Sequence, residues 1–170
     1  MAINRLNHAV LYVRDAERSA AFYEEALDFT RVASFPGAVF LQAPGSTNDH
    51  DLGLFSVGEA AAPTTAGRGS VGLYHLAWEV DTLDDLERLR AVLAERGALV
   101  GASDHGTTKS LYAHDPDGLE LELAWVIPAQ LLDAEALEQR ASVRPLDLER
   151  EKARYGGATK GGIGISVPTA

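Results

Sequence analysis

The sequence of 170 residues contains no cysteine. This absence excludes disulfide bonds, cysteine nucleophiles, iron–sulfur clusters and thiolate zinc sites. A transition-metal site in this chain would have to be built from imidazole nitrogens and carboxylate oxygens. Carboxylates are plentiful, with 25 Asp and Glu residues, and imidazoles come from five histidines at positions 8, 50, 75, 105 and 114.

Basic residues and long apolar runs are also scarce. Fifteen Lys and Arg against 25 Asp and Glu give a formal net charge of −10, which repels phosphate backbones and argues against a nucleic-acid partner. No stretch reaches the ~18 apolar residues of a membrane span, and the first residues lack the apolar core of a signal peptide. We therefore expect a cytoplasmic protein without nucleic-acid or membrane partners.

Two stretches of the chain share one pattern. The composition is that of a folded globular domain, with 46% apolar and 24% charged residues, and the length suits one domain. Within it, residues 6–27 and 73–96 each contain an apolar strand with a histidine, then a polar turn and an amphipathic helix. The two histidines, His8 and His75, are 75 − 8 = 67 positions apart.

Each helix is followed by three strand candidates, so that each half of the chain reads βαβββ. The candidates lie at about 30–35, 38–42, 50–57, 98–103, 109–114 and 119–126. We predict an α+β fold in which two βαβββ modules form a mixed, open, curved sheet around a metal site. The predicted single domain, residues 1–128, consists of two modules and a linker at about 1–58, 72–128 and 59–71.

The chain continues past the predicted domain. Apolar spacing predicts one more helix over about 129–141. We expect residues 142–170 to form a polar tail that is partly mobile or packs as a flap.

The last predicted strand offers carboxylate ligands. Its sequence, Leu119-Glu120-Leu121-Glu122-Leu123, alternates strictly, which puts both glutamates on one face of the sheet. One carboxylate with His8 and His75 would form the two-histidine, one-carboxylate triad of non-haem Fe(II) oxygenases. From the residues alone, Glu120 and Glu122 are equal candidates, both could lie on a solvent-facing edge strand, and each histidine could be an ordinary strand residue.

The turn before this strand carries the most specific motif of the chain. The segment Tyr112-Ala-His-Asp115-Pro-Asp-Gly118-Leu-Glu-Leu-Glu122 resembles the Asp-Pro-Asp-Gly turn and metal-binding glutamate of the vicinal oxygen chelate superfamily. The resemblance covers about residues 3–127. It implies that Glu122 is the carboxylate ligand and that His8 and His75 are the histidine ligands.

Three further features resemble the type I extradiol dioxygenases of that superfamily: the segments His50-Asp51-Leu52-Gly53-Leu54 and Asp104-His105-Gly106, and Tyr112 ten residues before the ligand glutamate. The resemblance implies that His50 acts as an acid/base, that His105 lines the substrate site, and that Tyr112 hydrogen-bonds substrate oxygen. It also implies Fe(II), or Mn(II), as the cofactor, a catechol and O2 as substrates, and a homodimer or higher homo-oligomer. A strand cap, an ordinary loop residue and a core aromatic are the respective alternatives for these three side chains.

The resemblance gives no role to several other candidate residues. His114 has no counterpart in the resemblance and is expected to be a partly solvated strand residue. No pair of arginines indicates a carboxylated catechol, although Arg5, Lys109 or a tail residue could reach the substrate.

Two other functions of the superfamily remain open. A glyoxalase-type isomerase or lyase uses four protein ligands, and the repeat places the counterpart of Glu122 at 122 − 67 = 55, which is Phe55. The nearest carboxylate is Glu59, so the four-ligand alternative is weakened. A bleomycin-like binding protein needs no metal, and the presence of all three ligand types argues against it. Larger extradiol enzymes contain two such repeat pairs, whereas this chain has one.

Overall fold

The computed structural model describes residues 3, 5–67, 69–140 and 142–162. It is an α+β structure with two mixed, open sheets, which confirms the predicted fold class. The chain divides into two compact units. Unit 1 contains Met1–Thr65 and Asp115–Leu119, and unit 2 contains Ala66–His114 and Glu120–Ala170.

Unit 1 contains the first βαβββ module. Its elements are β1 (Ala9–Val13), α1 (Ala16–Leu27), β2 (Thr30–Phe35), β3 (Ala38–Gln42) and β4 (Leu52–Ser56). The strands lie in the order β1-β4-β3-β2, with β1 and β4 parallel and the other pairs antiparallel. Helix α1 packs on β3 and β4, because its apolar residues recur at three- and four-residue spacing and form one buried face.

The ends of α1 follow from two aspartates. Asp15 precedes the helix, and its side chain accepts hydrogen bonds from the backbone N–H groups of Glu17 and Arg18. Asp28 follows the helix in the left-handed conformation, with φ of 60°. Aspartate tolerates this conformation at some energetic cost.

Unit 2 repeats the same topology. Its elements are β5 (His75–Glu79), α2 (Leu83–Glu95), β6 (Leu99–Asp104), β7 (Thr108–His114) and β8 (Glu120–Val126). The strand order is β5-β8-β7-β6, again with the first and last strands of the module paired in parallel. Thr82 caps α2 by accepting from the Asp85 N–H, and Gly97 follows the helix with φ of 66°.

The C-terminal region differs from the prediction. Instead of one helix over 129–141, the chain forms a 3-10 turn, Ala129–Leu131, and a separate helix α3, Ala134–Glu138. The reason is that the Asp133 side chain accepts from the Ala136 N–H and starts a new helix.

The predicted tail is partly folded. A short strand β9, Arg144–Pro145, pairs antiparallel with β6, and helix α4, Leu148–Tyr155, packs on α2. The stripe Leu148, Glu151 and Tyr155 forms the buried face of α4. It contains only one aliphatic side chain, so the apolar pattern in the sequence is weak. The tail was also expected to be partly mobile. Its last residues, 163–170, lie outside the described residues.

The strand register corrects the expected counterpart of Glu122. Glu122 pairs with Ala77, whose repeat partner is Val10 (77 − 67), and Val10 pairs with Gly53. Gly53 therefore occupies the equivalent position, not Phe55, because the offset in the last strand is 122 − 53 = 69. The conclusion that β4 offers no fourth carboxylate ligand is unchanged.

Among the described residues, none of the helices has the length and apolar character needed to cross a bilayer.

The Asp-Pro-Asp-Gly turn is tied into unit 1 through its second aspartate. The Asp117 carboxylate accepts from the Arg14 backbone N–H at 2.8 Å and from the guanidinium groups of Arg14 and Arg18 at 2.9 and 2.6 Å. Burial alone would raise the pKa of Asp117, but these donors outweigh it and hold the pKa below its usual range.

We expect the substitution Asp117→Asn to lower the free energy of unfolding at pH 7 by about 1.5–3 kcal/mol, since hydrogen bonds to a charged group are lost. Because the pKa of Asp117 is lower in the folded state, this contribution is complete above the unfolded pKa of about 3.9 and disappears as the pH falls through the folded value. Urea unfolding at a series of pH values measures it. A loss that is independent of pH, or no larger than that of the exposed control Asp81→Asn, would contradict the prediction.

Candidate metal centre

The register of β8 arranges the chemically active side chains of unit 2 in two rows. Residues His114, Glu120 and His75 are directly opposite one another on β7, β8 and β5. The next row contains Tyr112 and Glu122. Both glutamates are half-buried on one face, whereas the leucines between and beyond them are buried on the other, where α2 packs on β8. The alternation predicted for this strand is therefore observed.

His75 and Glu122 form the closest pair of predicted ligands. The Nε2 atom of His75 lies 3.0 Å from Oε2 of Glu122, and the Glu122 side chain is 13% exposed. Two donors bound to one ion at about 2.1 Å and at right angles to each other are about 3.0 Å apart. The separation is that of a direct hydrogen bond between the two side chains, and it also equals the spacing of two neighbouring ligands on one divalent transition metal.

The structure also distinguishes the two glutamates of β8. Glu120 approaches the other ring nitrogen of His75, with its Oε1 atom 3.6 Å from Nδ1. Only Glu122 is next to the Nε2 atom. This geometry favours Glu122 over Glu120 as the carboxylate partner of His75 on a shared ion.

A chain of hydrogen bonds leads from Glu122 to the C-terminal segment. The Tyr112 hydroxyl lies 3.4 Å from Oε1 of Glu122 and 2.8 Å from Nε2 of His105. The Nδ1 atom of His105 lies 2.8 Å from the Ser142 carbonyl oxygen, which can only accept, so Nδ1 carries the hydrogen. Tyr112 has a single hydroxyl hydrogen, which it can donate to Oε1 of Glu122 or, when the His105 ring is neutral, to Nε2 of that ring.

The phenol of Tyr112 is held in its neutral form. Burial raises its pKa to about 12, with further contributions from the negative charge of Glu122 and from the hydrogen bond to it. Tyr112 therefore remains a hydroxyl donor near neutral pH.

Unit 1 brings together the other two predicted histidines. The rings of His8 and His50 have centroids 4.6 Å apart, and His50 also contacts the Phe40 ring. His8 is exposed and immediately precedes β1, instead of lying within the strand as predicted. Its Nδ1 lies 2.8 Å from the Asn7 side-chain oxygen, and Nδ1 of His50 lies 2.9 Å from an Asp49 carboxylate oxygen. Both oxygens are acceptors, so in the neutral form of each ring the hydrogen is on Nδ1 and Nε2 carries the lone pair.

The predicted site residues thus form two groups. Unit 2 joins His75, Glu122, Tyr112 and His105, and unit 1 joins His8 and His50. Within the described ranges, no group of three or more His, Asp or Glu side chains has an arrangement that could hold a metal. The role of His8 as the third ligand stays a prediction. His114 is a half-exposed strand residue, 3.8 Å from Glu120.

Lys109 does not lie on the face of Tyr112, and the expectation that it could reach substrate there is wrong. It is only 2% exposed, and its ammonium contacts Asp104 at 2.5 Å and Glu151 at 3.1 Å. Strand alternation places it with Leu111 and Ala113 on the buried face, a signal that was present in the sequence. Arg5 donates to the Asn48 side-chain oxygen.

The buried carboxylates around Lys109 connect β6, β7 and α4, and we call this group the C-terminal ion cluster. It consists of Asp104, Lys109, Arg144, Arg150 and Glu151. Burial opposes ionisation of Asp104, but its bonds to Lys109, the Gly106 N–H and Arg144 keep its pKa below the usual value. The cluster anchors the segment whose Ser142 carbonyl holds His105. Sequence reasoning missed Ser142, because a contact across 37 residues leaves no periodic signal.

The model of the Glyoxalase/Bleomycin resistance protein/Dioxygenase superfamily matches residues 5–123, and the chain belongs to that superfamily. The resemblance carried by the Asp-Pro-Asp-Gly motif is thereby confirmed.

Two relatives are named as dioxygenases of aromatic diols. The chain is 30% identical over 118 residues to catechol-2,3-dioxygenase of Bacillus subtilis (strain 168), covering 69% of this chain and 40% of that protein. It is 31% identical over 123 residues to biphenyl-2,3-diol 1,2-dioxygenase 2 of Rhodococcus globerulus, covering 72% and 63%. The chain thus spans less than two thirds of the length of either relative.

A solved structure shares the fold. The glyoxylase/bleomycin resistance protein/dioxygenase domain from Frankia sp. EAN1pec superposes with a TM-score of 0.60 at 24% identity, covering 74% of this chain and 93% of that one.

We expect Lys109→Met to lower the free energy of unfolding by about 3–5 kcal/mol, because it removes the buried cation that contacts the carboxylates of both Asp104 and Glu151. Arg150 also contacts both carboxylates, but it is 57% exposed. Urea unfolding monitored by circular dichroism measures the change. Lys160→Met, the same substitution at an exposed position, provides the control. Equal stabilities of the two variants would show that the C-terminal ion cluster does not stabilise unit 2.

Proposed function

We propose that this protein is an Fe(II)-dependent extradiol dioxygenase that cleaves the ring of a catechol-type diol with O2. The observation that carries the proposal is the His75–Glu122 pair, 3.0 Å apart, with Tyr112 and His105 hydrogen-bonded beside it. The two relatives named as dioxygenases of aromatic diols support the same reaction class.

The proposed ligands are His8, His75 and Glu122. When bound, the ion supplies a redox-active, Lewis-acidic centre that brings the diol and O2 together. Mn(II) accepts the same nitrogen and oxygen ligands, so the ligand set fits Fe(II) and Mn(II) equally well. The proposal retains a homodimer or higher homo-oligomer and a cytoplasmic location.

The remaining residues handle protons and orient the substrate. His50 has its Nδ1–H directed at Asp49, which leaves Nε2 free to take a proton from a catechol hydroxyl and return it later. Tyr112 stays protonated and can donate to a substrate oxygen as negative charge develops there. His105 keeps the Tyr112 hydroxyl oriented through its Nε2 atom.

Two alternative functions can be distinguished from this proposal by experiment. A glyoxalase-type isomerase or lyase would use a fourth protein ligand, and β4 contains no carboxylate at the position equivalent to Glu122. A bleomycin-like binding protein would retain its ligand without any metal. Activity on a hemithioacetal or an epimerisable acid supports the first rival, and ligand binding unaffected by His75→Ala supports the second.

We expect the Fe(II)-loaded protein, prepared anaerobically, to consume O2 with at least one member of a catechol panel and to form a coloured ring-fission product. His75→Ala should abolish this activity because a ligand is lost. Tyr112→Phe should lower kcat by about 100-fold, since one oriented donor is removed.

The measurements are an oxygen electrode trace and the visible absorbance of the product. Glu95→Gln, a substitution of an exposed residue on α2, is expected to have wild-type activity. Iron loading is first verified by metal analysis. If the loaded wild-type protein then consumes no O2 with any catechol of the panel, the result would count against the dioxygenase proposal.

A further inference from the structure

Glu120 is a half-buried carboxylate that the proposed ligand set does not use. It lies between two imidazoles, because the register places His114 and His75 directly opposite it on the neighbouring strands. Its side chain is 20% exposed, and that of His75 is 24% exposed. A carboxylate in such a position is costly to bury unless it has a partner.

Two buried polar atoms face each other in this row. Nδ1 of His75 and Oε1 of Glu120 have no hydrogen-bond partner in the described part of the chain. They are 3.6 Å apart, which is longer than a hydrogen bond. Buried polar groups are generally paired in folded proteins. A hydrogen bond between them would satisfy both atoms.

The chemistry of the imidazole ring makes this contact consequential. A neutral histidine has one N–H and one free lone pair, so a hydrogen held on Nδ1 leaves the lone pair on Nε2. Nε2 is the atom that lies 3.0 Å from Glu122. Metal-binding histidines usually donate their other N–H to a carboxylate or carbonyl, which fixes both the tautomer and the ring orientation.

We propose that Glu120 is a positioning residue that accepts a hydrogen bond from Nδ1–H of His75 and directs Nε2 of that ring toward the metal. On the other side of Glu120, Oε2 lies 3.8 Å from Nε2 of His114. This inference rests on the proposed function, since it assumes a metal bound by His75 and Glu122.

The test is the affinity of the metal-free protein for Co(II), which takes the same nitrogen and oxygen ligands and absorbs visible light. We expect Glu120→Leu to weaken Co(II) binding by about 10–100-fold, the usual effect of removing such a partner. Glu120→Gln should weaken it less, because the amide oxygen still accepts from Nδ1–H. Glu95→Gln removes the same charge at an exposed position and should bind as wild type.

The outcomes separate the inference about Glu120 from the proposed metal site. If Glu120→Leu binds Co(II) within twofold of wild type while His75→Ala loses binding, the inference fails and the proposed metal site stands. Equal losses for Glu120→Leu and Glu120→Gln would also overturn it, because they would indicate a general charge effect instead of a hydrogen bond. If His75→Ala binds as tightly as wild type, both the inference and the proposed metal site are wrong. Circular dichroism of each variant verifies that the loss does not come from unfolding.

Discussion

The candidate metal centre depends on the register of β8 between β5 and β7. Because side chains alternate with a period of two, a shift of one residue would turn the glutamates toward α2 and expose the leucines. Leu121 and Leu123 are almost completely buried, and their burial opposes such a shift. The positions of Glu120 and Glu122 relative to His75 are therefore a consequence of how the hydrophobic core packs.

The histidines share one electrostatic arrangement. In three of them, His8, His50 and His105, Nδ1 faces an oxygen that can only accept a hydrogen bond. Those oxygens belong to the side chains of Asn7 and Asp49 and to the backbone of Ser142. In the neutral form of each ring Nε2 therefore carries the lone pair, which in His8 and His50 can serve metal binding or proton abstraction and in His105 faces the Tyr112 hydroxyl. Glu120 would complete the same arrangement at His75.

Local patterns predicted the modules and one face of the site. The βαβββ repeat and the alternation around Glu122 follow from periodicity and residue type, and the structure contains both. The counterpart Gly53 was not predictable, because the two modules differ by two residues in the spacing between their paired strands. The contact between His105 and Ser142 joins distant parts of the chain and leaves no local signature.

The central claim is that His75 and Glu122 bind one iron ion together with a second histidine. X-ray absorption of the Fe(II)-loaded protein measures it most directly, because imidazole ligands produce a characteristic outer-shell scattering. The account predicts a nitrogen and oxygen coordination shell with scattering from two imidazoles in the wild-type protein. A shell without imidazole scattering would contradict it.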